Sequence, residues 1–249
     1  MHDKTYIYGR HALLEALNNT PETLERVYLE DMDDRELISL LGQEKIPVSH
    51  YDLKSIPRGV SKEDTHQGFI GVVKLDKLVK NYSEFIETLD IGPDSSLVIL
   101  GEVQDPQNVG AIIRASAGFG VAGVLIPLHN QAQVNGTVVK VSAGMAFHVP
   151  LVSIGNVNDT IRDLKKRGFW IYGLDGEARQ SITTEKFDAP TVFILGNEST
   201  GIRMKTLELC DVPLVIPMNP QCESLNVAAS AAVALYAWST KHPKAVSRK

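Results

Sequence analysis

From Leu97 onward the chain repeats one pattern: a short, β-branched, almost continuously apolar run, then a stretch with helical spacing. The apolar runs fall at 97–101, 122–126, 149–152, 169–173, 191–195 and 212–216. The helical stretches fall at 108–119, 136–144, 157–167, 203–208 and 224–239. A sheet with one wet face alternates apolar and polar residues; a parallel sheet covered on both faces does not. The pattern therefore predicts a doubly wound α/β domain with a mostly parallel sheet over residues 97–249. Ligand sites in such sheets form beyond the carboxyl ends of strands.

Residues 1–74 read as a separate small α/β unit. Short strands at Tyr6–Tyr8, 26–29 and 47–50 alternate with helices at 10–17 and 34–44, and an apolar strand at 66–73 closes it. Residues 75–96 hold a short helix near Tyr82–Leu89 and the breakers Gly92-Pro93, and read as a linker.

Composition narrows the function. With 43% apolar and 22% charged residues among 249, the chain is an ordinary globular one. No run approaches the roughly 18–20 apolar residues of a membrane span, and the N-terminus lacks the apolar core of a signal peptide. A cytoplasmic location is expected. A net charge of −5 argues against broad, nonspecific nucleic-acid binding. Residues 1–74 are the more acidic part, with 9 basic against 13 acidic residues. The tail from Lys241 to Lys249 has four basic residues and no acidic one, and is expected to be solvated and disordered. Cys210 and Cys222 form no ligand pattern and are expected as buried small hydrophobes. No HExxH, GxSxG, GxGxxG or Walker sequence occurs, so no metal is implied and classical nicotinamide or nucleoside-triphosphate binding is disfavoured.

Three polar loops follow predicted strands. Gln104-Asp105-Pro106-Gln107-Asn108 opens a helix whose one strongly polar interior residue is Arg114, fit either for a surface salt bridge or for a fork on phosphate. Gly196-Asn197-Glu198-Ser199-Thr200-Gly201 follows the run at 191–195; Glu198 is as suited to capping the next helix as to chemistry. Met218 to Glu223 lead into Ser224-Leu225-Asn226, which opens a helix of small residues where first-turn N–H groups are free. Each loop alone fits an ordinary strand–loop–helix.

Taken in order, DPQNVGAIIRASAGFG, ILGNESTGI and IPMNPQCESLNVAASAA resemble the three signature motifs of the TrmH-type branch of the SPOUT methyltransferases, over about residues 97–240. Tyr8-Gly9-Arg10-His11-Ala12 and His66-Gln67-Gly68 are similar to the N-terminal substrate-binding domain of the 23S rRNA guanosine-2′-O-methyltransferase (RlmB) subgroup. The resemblance implies an RNA ribose 2′-O-methyltransferase using S-adenosylmethionine, a deep trefoil knot in the 192–226 region, and a homodimer with the helix from Asn226 to Ala234 near its interface. It implies that Arg114 acts on the RNA, and that Asn108, Glu198, Ser224 and Asn226 are the other active-site positions. The cofactor would rest on Leu195, Gly196, Ile216, Met218 and Leu225, with Leu174, Asp175 and Gly176 near the adenine. Pro220 stands where the family usually has Gly, which puts the shape of that loop in question. Arg10, His11 and Lys62 are the candidate RNA contacts of the first unit. A tRNA-specific enzyme, a catalytically silent knotted RNA-binding factor and a nucleotide-dependent oxidoreductase are the alternatives; the missing glycine fingerprint disfavours the last.

Overall fold

The computed structural model describes residues 4–52, 57, 60 and 66–247. Lys62, Arg248 and Lys249 lie outside them.

The first unit is a four-stranded sheet with two helices. β1 (Lys4–Tyr8), β2 (Leu24–Leu29), β3 (Val48–His50) and β4 (Phe69–Lys74) lie in the order β1-β4-β2-β3, and α1 (Arg10–Asn19) and α2 (Arg35–Gln43) join them. β4 runs antiparallel to both neighbours, while β2 and β3 are parallel. The two N-terminal motifs meet here. The Gly9 N–H donates to Phe69 O at 3.1 Å, and the His66 ring packs edge-on against Tyr8 at 5.4 Å. His66 is thus core, not surface. Arg10 is held by Asp34, with Nε 2.6 Å from Oδ2, and by Glu36, with Nη2 2.6 Å from Oε2. It pins the start of α1 to α2 instead of standing free for RNA. His11 stays exposed, 3.8 Å from Glu15.

Residues 75–96 hold α3 (Leu75–Leu78), β5 (Val79–Asn81) and α4 (Tyr82–Thr88). β5 pairs parallel with β8 (Leu151–Ile154) at the edge of the larger sheet, so most of this segment is structured. The remaining strands are β6 (Ser96–Leu100), β7 (Gly123–Pro127), β9 (Trp170–Leu174), β10 (Gln180–Ser181), β11 (Thr191–Leu195) and β12 (Val212–Val215). Their order is β10-β12-β9-β11-β6-β7-β8-β5, and every pairing is parallel. The helices are α5 (Pro106–Gly118), α6 (Gly136–Val141), α7 (Val157–Lys166), α8 (Met204–Leu207), α9 (Val227–Ser239) and α10 (Pro243–Val246).

The strand period explains the continuous apolar runs. Along β6, Val98 and Leu100 join a core with α5, α6 and α9, while Leu97 and Ile99 join a second core with α4 and α7. Successive side chains point to opposite faces, and both faces are dry. Each fully buried Leu or Ile contributes about 1.5–3 kcal/mol. The first core does not stop at the large sheet. It runs on through Val138, Val139 and Phe147 to Ile7, Leu13 and Leu17 of the first unit. The tail, expected to be solvated, is docked as far as Ala245: His242 lies 2.9 Å from Asp94 and stacks on Trp238 at 4.6 Å. Among the described residues no helix is long and apolar enough to cross a membrane. Cys210 is half-buried, its thiol pushed up to about 12 by burial; Cys222, expected to be buried, is exposed.

The two units touch where α6 begins. A Cβ on Gly136 would lie 2.4 Å from the carbonyl oxygen of Tyr6. That atom is main chain of a paired strand, on the edge facing α6, so it cannot swing aside as a side chain would. Gly136→Ala is expected to destabilise by about 1–3 kcal/mol, lowering Tm by about 2–4 °C per kcal/mol at this chain length. An unchanged thermal melt would mean that β1 and α6 do not pack this closely.

Candidate active site

Three loops meet beyond the carboxyl ends of β6, β11 and β12. Asp105 caps α5, accepting from Gln107 N at 2.8 Å, and Pro106 fills the first helical position, where no N–H is needed. This places Asn108 in the first turn, nearly buried. Asn226 caps α9, its Oδ1 accepting from Ala228 N at 2.8 Å and Ala229 N at 3.3 Å. Its free Nδ2 donates to Asn108 Oδ1 at 2.9 Å. Asn108 Nδ2 in turn donates to Glu198 Oε1 at 3.0 Å. Glu198 also accepts from the N–H groups of Gln104, 3.1 Å from Oε2, and Asp105, 3.1 Å from Oε1.

The chemistry of this relay follows from its donors. Partial burial pushes the Glu198 carboxyl up, but the Asn108 amide and the two main-chain N–H groups outweigh it and hold it below its ordinary value. Glu198 is an ionised acceptor at neutral pH, suited to positioning Asn108 and poorly suited to taking a proton. It does not cap α8, which starts at Met204 with Arg203 at its N-cap. Asn197 organises the same loop. Its Oδ1 accepts from Ser199 N at 3.0 Å and Thr200 N at 3.1 Å, and its Nδ2 donates to Glu102 O at 2.8 Å.

Arg114 lies outside the relay. It is six residues on from Asn108, about 9 Å along the axis at 1.5 Å per residue, on the exposed ridge of α5. It has no ion pair or hydrogen bond among the described residues, so the surface salt bridge does not form. Ser224 also stands apart, exposed in the loop, because α9 starts at Val227 and its cap is Asn226.

A second group of residues lines the neighbouring strand ends. β12, β9 and β11 are adjacent, so the loops after Val215, Leu174 and Leu195 open side by side. Ile216, Met218 and Leu225 lie in the first of these, Asp175 and Gly176 in the second, and Gly196 in the third. The main-chain groups of Met218 and Leu225 make no hydrogen bond to the described chain. Pro220 follows Asn219 in a turn closed by Cys222 N to Asn219 O at 2.8 Å. Position i+1 of such a turn favours the fixed φ of proline and asks for no donor, so the departure from Gly is accommodated. Among the described residues no cluster of three His, Cys, Asp or Glu could hold a metal.

Family models place these loops. Residues 95–236 match the SpoU rRNA Methylase family. The chain belongs to that family. Residues 6–78 match a second model, RNA 2′-O ribose methyltransferase substrate binding. An "uncharacterized tRNA/rRNA methyltransferase" of Mycoplasma pneumoniae is 32% identical, covering 96% of this chain and 98% of its own. A 23S rRNA (guanosine-2′-O-)-methyltransferase RlmB of Photobacterium profundum is 35% identical, covering 92% and 95%. The SpoU methyltransferase AviRb of Streptomyces viridochromogenes superposes with a TM-score of 0.83 at 19% identity, over 97% of this chain and 91% of its own, which speaks to fold alone.

For this SpoU-family chain the motif residues Asn108, Glu198 and Asn226 converge, whereas Arg114 and Ser224 remain separate. The donors at Gln104 and Asp105 were missed because they are main-chain groups, and no side-chain pattern announces them.

A folded carboxyl below its ordinary 4.5 adds stability above that pH and gives it up as the pH falls through the lower folded value. Glu198→Gln is therefore expected to cost about 1 kcal/mol at pH 7. The difference from wild type should shrink steadily below about pH 4.5. A gap in denaturant midpoint that stays constant from pH 7 to pH 3 would show that the Glu198 charge does not hold this loop.

Proposed function

We propose that the chain is an S-adenosylmethionine-dependent RNA 2′-O-ribose methyltransferase acting on a guanosine of 23S rRNA in the cytoplasm. The observation that carries this is identity of 32–35% to RlmB enzymes over more than nine-tenths of each chain, with the family motifs meeting in one relay. In this reading residues 1–74 bind the RNA, 75–96 connect, and 97–249 transfer the methyl group. The loop from Ile216 to Asn226 belongs to a trefoil knot, consistent with its return to the first turn of α5.

The donor set beyond β9, β11 and β12 fits the cofactor. Met218 and Leu225 offer unpaired main-chain groups to an adenine or an amino-acid moiety, Gly176 has open space around it, and partly buried Ile216 supplies an apolar wall, with Leu195 in the core at the end of β11. A solved form of AviRb contains AdoMet. When bound, S-adenosylmethionine supplies the methyl group for the ribose 2′-oxygen. Everything else falls to positioning and charge. Arg114, too basic to accept a proton, holds a phosphate beside the reacting ribose, orients the hydroxyl and favours loss of its proton. Glu198, Asn108 and Asn226 fix the loops, and Ser224, exposed in the loop before α9, is assigned to the same reaction by its motif position.

A homodimer completes the reading. α9 leaves Val233 39% and Tyr236 60% exposed, and Phe119, just past the end of α5, packs on Tyr236 at 6.0 Å. An apolar stripe of this kind marks an interaction surface, and the exposed ridge of α5 with Arg114 runs beside it. Tyr236→Glu is expected to yield monomers by light scattering; an undisturbed dimer would place the interface elsewhere.

Mapping 2′-O-methyl groups on 23S rRNA with and without the protein tests the activity; absence of a protein-dependent guanosine mark would refute it. Arg114→Ala is expected to slow single-turnover methylation by about 100-fold with S-adenosylmethionine affinity near wild type. Arg114→Lys should rescue little, since an ammonium lacks the planar fork. Near-wild-type turnover in either variant removes Arg114 from the reaction.

A further inference from the structure

Next to the relay, on the other side of the β6 loop, lies a cavity of about 250 Å³. Its walls include Ile194 and Ile202, and its rim carries Glu102, Asn130, Asn158 and Arg203. Two features show that this rim is built. Glu102 adopts φ 69°, a left-handed conformation that costs a non-glycine residue energy. It is held there by Asn197 Nδ2 on its carbonyl at 2.8 Å and by Gly101, whose N–H donates to Leu195 O at 2.6 Å. A Cβ on Gly101 would sit 2.7 Å from that same oxygen, so only glycine lets the chain before Glu102 approach β11 this closely. The second feature is the use of Glu102. Its Oε2 accepts from Arg203 Nε at 3.0 Å, and its Oε1 lies 2.7 Å from Nη2. The carboxylate is three-quarters covered, whereas the guanidinium is 67% exposed at the cavity mouth.

A two-point pair of this kind fixes the plane of the guanidinium and leaves its Nη1–Nη2 edge free. That edge presents two parallel donors. Among nucleobases, guanine alone offers two adjacent acceptors, O6 and N7, at matching spacing. Adenine puts a donor, N6–H₂, where O6 would be. We propose that this cavity is the base-reading pocket of the enzyme, and that Arg203, buttressed by Glu102, selects guanine at the methylated nucleotide. The inference rests on the methyltransferase reading. It adds a residue that reads the base while the Arg114 region handles the ribose and phosphate. The covalent path favours this division. Glu102 lies two residues before Gln104, whose N–H holds Glu198, and Arg203 lies five residues after Glu198. The same two loops, after β6 and after β11, thus serve both sites.

The test uses the full-length protein and a synthetic rRNA fragment carrying guanosine, inosine or 7-deazaguanosine at the target position. Inosine keeps O6 and N7; 7-deazaguanosine lacks N7. Wild type is expected to methylate the inosine fragment within about twofold of guanosine and to lose about 5- to 100-fold in kcat/KM on 7-deazaguanosine, the worth of one good fork on a base. Arg203→Ala should lose a similar factor on guanosine and show no further loss on 7-deazaguanosine. Glu102→Gln should weaken discrimination while leaving S-adenosylmethionine affinity unchanged by calorimetry. Equal losses by Arg203→Ala on both RNAs would mean that Arg203 holds phosphate, and would overturn the pocket. So would a wild type that methylates guanosine and 7-deazaguanosine alike. A wild type that methylates none of the fragments would overturn the methyltransferase reading itself, and the pocket with it.

Discussion

The 2.9 Å hydrogen bond from Asn226 Nδ2 to Asn108 Oδ1 ties the C-terminal quarter of the chain to the first turn of α5. It is possible because each amide splits its duties. Asn226 spends its oxygen on capping α9 and its nitrogen on Asn108. Asn108 spends its nitrogen on Glu198 and its oxygen on Asn226. An aspartate at either place would supply only acceptors, and the direction of donation would break. The relay ends at an ionised carboxylate, which takes up what the amides and the start of α5 donate. The loops after β6, β11 and β12 are held together by a chain of hydrogen bonds with one consistent direction.

Much of this was readable beforehand, for definite reasons. The core strands of the large sheet are buried on both faces, so their apolar runs are uninterrupted and their positions stand out. Asn108, Glu198 and Asn226 follow strands at loop positions where the fold puts chemistry. What escaped has equally physical causes. β5 and β10 are three and two residues long, too short for any period to show. Arg10 is fixed by carboxylates 24 and 26 residues away, and Arg203 by one 101 residues away; such pairings leave no local mark. Ser224 was placed in the first turn of α9 because its type suits a cap, but Asn226 takes that role and the helix starts three residues later.

The continuity of the first core bears on how the two units work together. A flexible linker would let an RNA-binding unit search independently of the catalytic one. Here Tyr6 closes on Gly136, and Leu13 shares a core with Val138. Freeing the first unit would expose that surface at about 25 cal/mol per Å². The first unit is therefore held against the domain that carries the relay by one continuous core.

That attachment suits a chain with a net charge of −5. A strongly basic protein can gather RNA from a distance and sort it afterwards. Here acidic residues outnumber basic ones, and two of the arginines are already oriented: Arg10 by Asp34 and Glu36, Arg203 by Glu102. Orienting a guanidinium with a carboxylate lowers its pull on phosphate at long range but fixes the direction of its remaining donors. Affinity from bulk charge is exchanged for geometry, as recognition of a folded RNA by shape requires. Arg114, exposed on α5 with no partner among the described residues, is the guanidinium that the proposed mechanism assigns to a phosphate.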